Sequence, residues 1–311
     1  MVENNTGAAA DRFITLTPKD EHWPELWRHM ADPPERIYCA GDPCLLNRPT
    51  IAIVGTRRAT SRGLAIARGL AQALVLKGWT IASGMALGID TSAHDGALSG
   101  HGGTVAVMGT GPDLVYPRAN TELHQKILSN GCAITEYDIG TPPLKHHFPR
   151  RNRLIAGLSR GVLVVEAPLQ SGAMHTARVA LDYDRDVFAV PGPVDLETSR
   201  GCHRLLRDGA HLVETTDDFD RILGLPNRDD GTQAGLESPD LFHGALDPAP
   251  HSSARWILDR LDLEGVGRDK LRQRWPGNEE TWLEGLTALE LAGLIRRLPG
   301  GRIARRVWRC S

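Results

Sequence analysis

Short apolar runs alternate with segments of helical spacing from about residue 50 to about residue 223. The runs are unbroken and rich in β-branched residues, which is typical of strands buried on both faces. Between two of them, apolar side chains in Arg62–Lys77 recur at the spacing of one helix face, and Gly172–Asp182 is a second predicted helix. This alternation predicts an α/β fold, a doubly wound parallel sheet. The predicted strands are Ile51–Val54, Thr80–Ala82, Thr104–Met108, Cys132–Thr135, Val162–Val165, Val187–Val190 and His211–Val213.

Three further segments flank this domain, which we place at residues 50–223. Residues 1–49 are rich in proline and hold Trp23 and Trp27, so we expect a short N-terminal lead-in that packs on the domain. Residues 224–251 lack periodicity, as a linker does. Residues 252–311 predict three short helices and a two-stranded ribbon, a combination typical of a small winged-helix domain. Those elements are Ser253–Leu261, Arg268–Arg274, Glu279–Ala292, Leu294–Arg297 and Arg302–Arg306.

Composition changes this picture little. The chain has 36 Lys+Arg against 38 Asp+Glu, so an anion site must come from local clustering of cations. The five cysteines form no CxxC pair, which argues against a zinc site or a disulfide framework and favours a reducing cytoplasm. We see no signal peptide and no apolar run of about 20 residues that would span a bilayer. We therefore expect a soluble cytoplasmic protein.

Cations follow the first predicted strand directly. The strand ends at Gly55 and is followed by Thr56, Arg57 and Arg58, and Arg62 lies in the start of the next helix. Ligands of open α/β sheets bind at the carboxyl ends of the strands, and a helix N-terminus offers free N–H groups to an anion. The segment therefore predicts a phosphate-binding edge.

The strongest basic element is KHHFPRRNR, residues 145–153, which precedes a short predicted helix and a buried strand. We expect Lys145, Arg150, Arg151 and Arg153 in a loop at the rim of the sheet, where guanidinium groups bind phosphate oxygens through paired hydrogen bonds. Phe148 is a candidate for stacking on a base, with loop packing as the alternative. Some of these arginines have a structural alternative, and Arg153 is the strongest case because it adjoins the predicted helix.

Other loops on the same edge supply further candidates. Ser83 and Gly84 predict either an anion nest of backbone N–H groups or a simple tight turn. Arg118 adds a cation to the loop after the third strand, and Ser171 with Gly172 starts a helix, with Ser171 as the N-cap. We expect Glu166, at the end of a buried strand, to pair with an arginine of the basic segment rather than to act in catalysis.

Asp90 and His94 stand four residues apart on a predicted helix. A local hydrogen bond or ion pair between them is the more common outcome of such spacing, and an acid/base or metal pair is the alternative. No nucleophile–base pair or metal cluster emerges from the sequence, so we expect no catalysis, no cofactor and no metal.

Six blocks of the chain, in order, resemble the DprA/Smf family of DNA-processing proteins. The resemblance runs from about residue 36 to about residue 219, and its departures include Asp184 in place of an expected glycine and the pair Met174-His175. The blocks are VGTRRAT-x-x-G, SGMALGIDTSAHDGAL, GTGPDLVYPRAN, FPRRNRLIAGLS, VVEAPLQSGAMHTA and VFAVPGP.

The resemblance implies a Rossmann-like domain that binds single-stranded DNA without strong sequence preference, forms a homodimer and helps load the RecA recombinase onto incoming strands in natural transformation. The family's DNA-contacting arginine corresponds to Arg57, and its basic rim corresponds to Lys145 and Arg150, with Arg118 as a weaker candidate. Some members carry a helical N-terminal domain, and residues 1–49 are too few to form it.

Two other functions compete with this interpretation. The same core resembles LOG-type nucleotide phosphoribohydrolases, but their P-G-G-x-G-T-x-x-E segment does not open a helix here. The G-x-G-x-x-G fingerprint and the Walker A motif are also missing from the domain. A duplex-DNA regulator acting through the winged helix is the second rival, and the glutamates on its third helix would repel phosphate.

Overall fold

The computed structural model describes residues 13–99, 103–224, 226, 253–258, 260–261, 266–291, 295–298 and 302–305. Among these, residues up to 226 form one compact unit and residues from 253 onward form another. Apart from Gly224 and Pro226, the predicted linker lies outside the described residues.

Nine described strands of the first unit form one sheet in the order β1-β2-β6-β5-β4-β3-β7-β8-β9. Neighbouring strands from β6 to β9 in this order are parallel, while β2 is antiparallel to β6 and β1 to β2. The strands are β1 Ile14–Leu16, β2 Ile37–Gly41, β3 Thr50–Val54, β4 Thr80–Ser83, β5 Thr104–Val107, β6 Cys132–Thr135, β7 Gly161–Val164, β8 Asp186–Ala189 and β9 His211–Leu212. The predicted Rossmann-like doubly wound sheet is confirmed, and its strand order changes direction between β3 and β7.

Helices cover both faces of this sheet because its central strands are apolar on both sides. Ile51 and Ile53 of β3 pack in one core cluster, and Ala52 and Val54 pack in the other. The helices are α1 Ser61–Leu76, α2 Ile89–Leu98, α3 Thr121–Asn130, α4 His147–Leu158, α5 Gly172–Asp182, α6 Arg200–Arg207 and α7 Asp217–Leu223. Short 3-10 helices occupy Glu25–His29, Pro43–Asn47, Arg118–Asn120 and Glu197–Ser199.

The residues before β3 belong to the sheet through β1 and β2, two strands that the hydrophobic pattern did not predict. Trp27 is fully buried, and its indole N–H donates to the carbonyl oxygen of Leu154 on α4 at 3.3 Å. The sheet therefore extends across the predicted boundary at residue 50, because pairing with β6 recruits a segment too short to form a core alone.

The second unit contains helices α8 Ser253–Leu258, α9 Arg268–Arg274 and α10 Glu279–Leu291. Its described strands, β10 Val266–Gly267, β11 Ile295–Leu298 and β12 Arg302–Arg305, pair antiparallel in the order β10-β12-β11. Buried Trp282, Leu286 and Ile303 contribute to its core. Its assignment as a winged helix stays a prediction.

Candidate functional site

A cavity of about 1000 Å³ opens where the sheet order changes direction, beyond the carboxyl ends of β3 and β7. This is the position at which open α/β sheets bind ligands. Nine of the residues predicted from the sequence line it: Gly55, Thr56, Arg57, Arg58, Lys145, Phe148, Arg151, Ser171 and Gly172.

The loop between β3 and α1, which carries two of the arginines, is held at both ends by Glu166. The Thr56 amide donates to the Glu166 carbonyl oxygen at 2.7 Å. The Thr60 amide and hydroxyl donate to the Glu166 carboxylate at 2.9 and 2.5 Å, and the Thr60 hydroxyl caps α1 by accepting from the Gly63 amide. A side chain at Gly63 would collide with this carboxylate. The expected pairing of Glu166 with an arginine is therefore wrong. Glu166 binds the two ends of the loop instead.

Arg57 and Arg58 project from that loop and are exposed. The Arg57 guanidinium carbon lies 5.6 Å from the ring centroid of Phe148, and the Tyr116 ring lies 5.4 Å from the same ring. Within the described residues, Arg57, Arg58 and Lys145 form no ion pair with a carboxylate. Their charges are thus available to an anion in the cavity.

The three arginines of the basic segment lie inside α4 and not in a loop before a helix, which corrects the sequence-based expectation. Arg151 is only 3% exposed, and its guanidinium donates to the carbonyl oxygen of Gly84 at 2.6 Å and to that of Val107. Burial lowers the pKa of Arg151 to about 10, with nearby Asp90 acting in the opposite direction. Arg151 therefore joins the carboxyl ends of β4 and β5 beneath the cavity and presents little surface to a ligand.

The predicted anion nest at Ser83 and Gly84 is occupied by the protein itself. The amides of Gly84 and Ala86 donate to the Asp90 carboxylate at 3.1 and 3.4 Å, and the Ser83 hydroxyl donates to the Ile53 carbonyl oxygen. Burial raises the pKa of Asp90, which the Arg151 charge partly offsets. Ser83 and Gly84 are buried and do not line this cavity, so they offer no groups to a phosphate bound in it.

Asp90 does not pair with His94. The His94 Nδ1 atom lies 2.8 Å from the Thr104 hydroxyl oxygen, and burial lowers the pKa of His94 to about 3. The expected local bond between these two residues is therefore wrong, because each side chain has its partner on another loop or strand.

Arg153 has the structural role considered for it. It is 9% exposed, forms an ion pair with Glu136 and donates to the Asp32 carbonyl oxygen at 2.7 Å. Arg150, one turn away, has a side chain 62% exposed and lies 3.5 Å from Glu136. Burial raises the pKa of Glu136, an effect that both arginines oppose. Sequence reasoning missed Glu136, although a carboxylate directly after a buried strand, at the same edge as the arginines, was a usable signal.

Arg150 and Arg153 line a second cavity of about 550 Å³, which shares Pro149 and His175 with the first. Arg62, in the first turn of α1, and Arg118, in its 3-10 helix, are exposed and line neither cavity. The predicted N-cap is confirmed, since the Ser171 hydroxyl accepts from the Met174 amide at 3.4 Å.

The described residues offer neither a metal cluster nor a membrane-spanning helix. In that part of the chain no group of three or more His, Cys, Asp and Glu side chains is placed to hold a metal ion. None of its helices is long and apolar enough to cross a membrane.

Known proteins match this arrangement. The family model described as DNA recombination-mediator protein A matches residues 14–223. The protein Smf of Synechocystis is 37% identical, over 94% of this chain and 80% of its own length. The crystal structure of DNA processing protein A (DprA) from Streptococcus pneumoniae is 40% identical, with a TM-score of 0.65 over 68% of this chain and 74% of that one. The Helicobacter pylori DNA processing protein A, whose structure was described for its single-stranded DNA binding mode, is 35% identical with a TM-score of 0.62 over 68% and 95% of the two chains.

Proposed function

Because the chain belongs to the DprA/Smf family of DNA recombination-mediator protein A, we propose that it binds single-stranded DNA along the carboxyl edge of its sheet. One observation carries the proposal. The exposed cations Arg57, Arg58 and Lys145, which form no ion pair among the described residues, line the cavity of about 1000 Å³ at the point where the strand order reverses. The described single-strand binding of the Helicobacter relative supports the same choice of ligand.

Phosphates of the strand lie against these three cations. Each phosphate neutralised in this way releases counterions, so log affinity falls with log salt with a slope of about −0.7 per contact on a single strand. The amides at the start of α5, beyond the Ser171 cap, add donors for a phosphate, favoured by the helix dipole. None of these groups reads a base edge, so the phosphate contacts by themselves give no strong sequence preference.

Phe148 is the stacking platform for a base. Its ring is half-buried, is supported on one side by Tyr116 and lies close to the Arg57 guanidinium. The aromatic ring can stack on the base of a nucleotide while the cation beside it neutralises the phosphate. Arg151 and Arg153 act as positioning residues in this account, since their guanidinium groups bind the protein.

The protein in this proposal protects single strands and acts as a recombination mediator that loads RecA onto incoming DNA during natural transformation. Two protomers of a homodimer extend the track, so that strands are bridged or delivered together. The function is binding in the cytoplasm and not catalysis, and a nucleotide phosphoribohydrolase of LOG type is the alternative.

Fluorescence anisotropy of labelled oligo-dT and of a matched duplex across a salt series tests the proposal. Wild type is compared with Arg57→Ala and with Arg160→Ala, which removes an exposed charge just before β7, at the opposite edge of the sheet. We expect single-strand binding that is steeply salt-dependent, lost in Arg57→Ala and kept in Arg160→Ala. Equal binding by all three proteins excludes the rim. If wild type binds no strand but cleaves nucleoside monophosphates, the enzyme alternative replaces the proposal.

A further inference from the structure

The second cavity lies beside the first and contains a different set of groups. Pro149 and His175 belong to the walls of both cavities. Beyond them, Arg150 of α4 and the end of α5, Asp182 and Tyr183, line the second cavity alone. A volume of about 550 Å³ is within the range in which proteins hold one small ligand.

Some of the charged groups in this cavity are already satisfied within the protein. Arg153 binds Glu136 and the Asp32 carbonyl oxygen, and the Tyr183 hydroxyl donates to the Asp32 carboxylate. These bonds fix one wall and keep its charges engaged with each other.

Three polar side chains remain open to a ligand. Arg150 is largely exposed, with one carboxylate at 3.5 Å, which is longer than an ordinary charged hydrogen bond. His175 and Asp182 are exposed, and their side chains have no hydrogen-bond or ion-pair partner among the described residues. The cavity thus offers a cation, an imidazole ring and a carboxylate acceptor beside the half-buried ring of Tyr183.

We propose that the second cavity is a subsite for one more nucleotide of the strand bound in the first, and that it favours a base with an exocyclic amino group. Arg150 binds the phosphate and His175 packs on the base as the strand crosses the shared wall. The Asp182 carboxylate accepts a hydrogen bond from the amino group. Cytosine carries such a donor at N4, whereas thymine presents an acceptor at O4, which the carboxylate repels.

This inference rests on the proposed single-strand binding and adds a modest base preference to it. It also assigns Arg150 to a place separate from Arg57, although both were predicted as contacts of one rim. The base preference comes from the side chains of His175 and Asp182. It does not follow from the cations that bind phosphates.

The test compares oligo-dC with oligo-dT, both about 12 nucleotides long so that the strand can reach both cavities. Wild type, Asp182→Ala, Arg150→Ala and Arg57→Ala are measured by anisotropy. The control is Glu122→Ala, which removes an exposed carboxylate on α3 that lines neither cavity. Asp182 and Glu122 are both exposed, so circular dichroism should show equally folded variants.

We expect wild type to bind oligo-dC roughly three- to tenfold more tightly than oligo-dT, the effect of one typical hydrogen bond at a solvent-exposed site. Asp182→Ala should bring this ratio to about one by weakening oligo-dC and strengthening oligo-dT, while Glu122→Ala keeps the ratio. Arg150→Ala should reduce the steepness of the salt dependence by about 0.7.

Equal affinities of wild type for the two strands overturn the inference, as does a ratio that survives in Asp182→Ala. Neither result contradicts the proposed function, which predicts that Arg57→Ala loses binding to both oligo-dC and oligo-dT. If wild type binds neither strand, the proposed function fails and the subsite fails with it.

Discussion

Two groups of arginines stand at the same edge of the sheet and have opposite environments. Arg57 and Arg58, in the loop after β3, are exposed without a carboxylate partner among the described residues, whereas Arg151 and Arg153, inside α4, are buried and bind carbonyl and carboxylate oxygens. A buried guanidinium needs partners for its donors, while an exposed one keeps its charge for a ligand. The comparison teaches that clustered cations at a binding edge divide into groups that build the site and groups that meet the ligand.

Arg151→Ala should have the largest effect on stability and tests whether the buried arginines hold the site together. The change leaves the carbonyl oxygens of Gly84 and Val107 without this donor and the buried Asp90 carboxylate without its cation. We expect the free energy of unfolding to fall by about 3–5 kcal/mol, because two buried carbonyl oxygens lose a charged donor and a buried carboxylate loses a nearby positive charge. Urea denaturation measures it, and a loss below about 1 kcal/mol would show that the burial of Arg151 matters little.

Glu166→Ala tests whether the exposed arginines depend on a held loop. Losing the carboxylate frees the amide and hydroxyl of Thr60, and we expect about 1–3 kcal/mol of lost stability. Affinity for single-stranded DNA should also fall, although Glu166 carries negative charge and its removal by itself favours phosphate. Glu166→Gln, which keeps one acceptor oxygen, should restore part of both. Improved DNA binding in Glu166→Ala would contradict a positioning role.

The buried region near Arg151 should also respond to pH through His94. Its pKa is about 3 in the folded protein and about 6.5 when unperturbed, so the unfolded chain binds the additional proton between these values. The stability it contributes is present above pH 6.5 and is lost as pH falls towards 3, by up to about 1.4 kcal/mol per pH unit. Unfolding curves of wild type and His94→Gln should diverge in this window, and parallel curves would refute the assignment.

Arg57→Ala should have the smallest effect on stability, because this arginine is exposed, unlike Arg151 and Arg153. An exposed cation without a carboxylate partner contributes little to stability, so the free energy of unfolding should change by less than about 0.5 kcal/mol. A thermal or urea transition displaced well beyond that limit would place Arg57 with the structural arginines.

The doubly wound sheet could be predicted from the sequence alone, and so could the family resemblance and the position of the candidate site. Unbroken apolar strands and helical periodicity are local patterns, and parallel strands bring their carboxyl ends to one edge whatever the loops contain. Gly55, Thr56, Arg57, Lys145 and Phe148 followed from this argument, and the structure brings them together in one cavity.

Which cations stay exposed and which bind the protein itself depends on contacts between residues far apart in the chain. Arg151 meets Gly84 and Val107, residues 67 and 44 positions away, and Glu166 meets Thr60 over 106 positions. Such partners are chosen by packing and by the need to satisfy buried donors, neither of which has a local signature. The strands β1 and β2 and the division into two cavities were missed for the same reason.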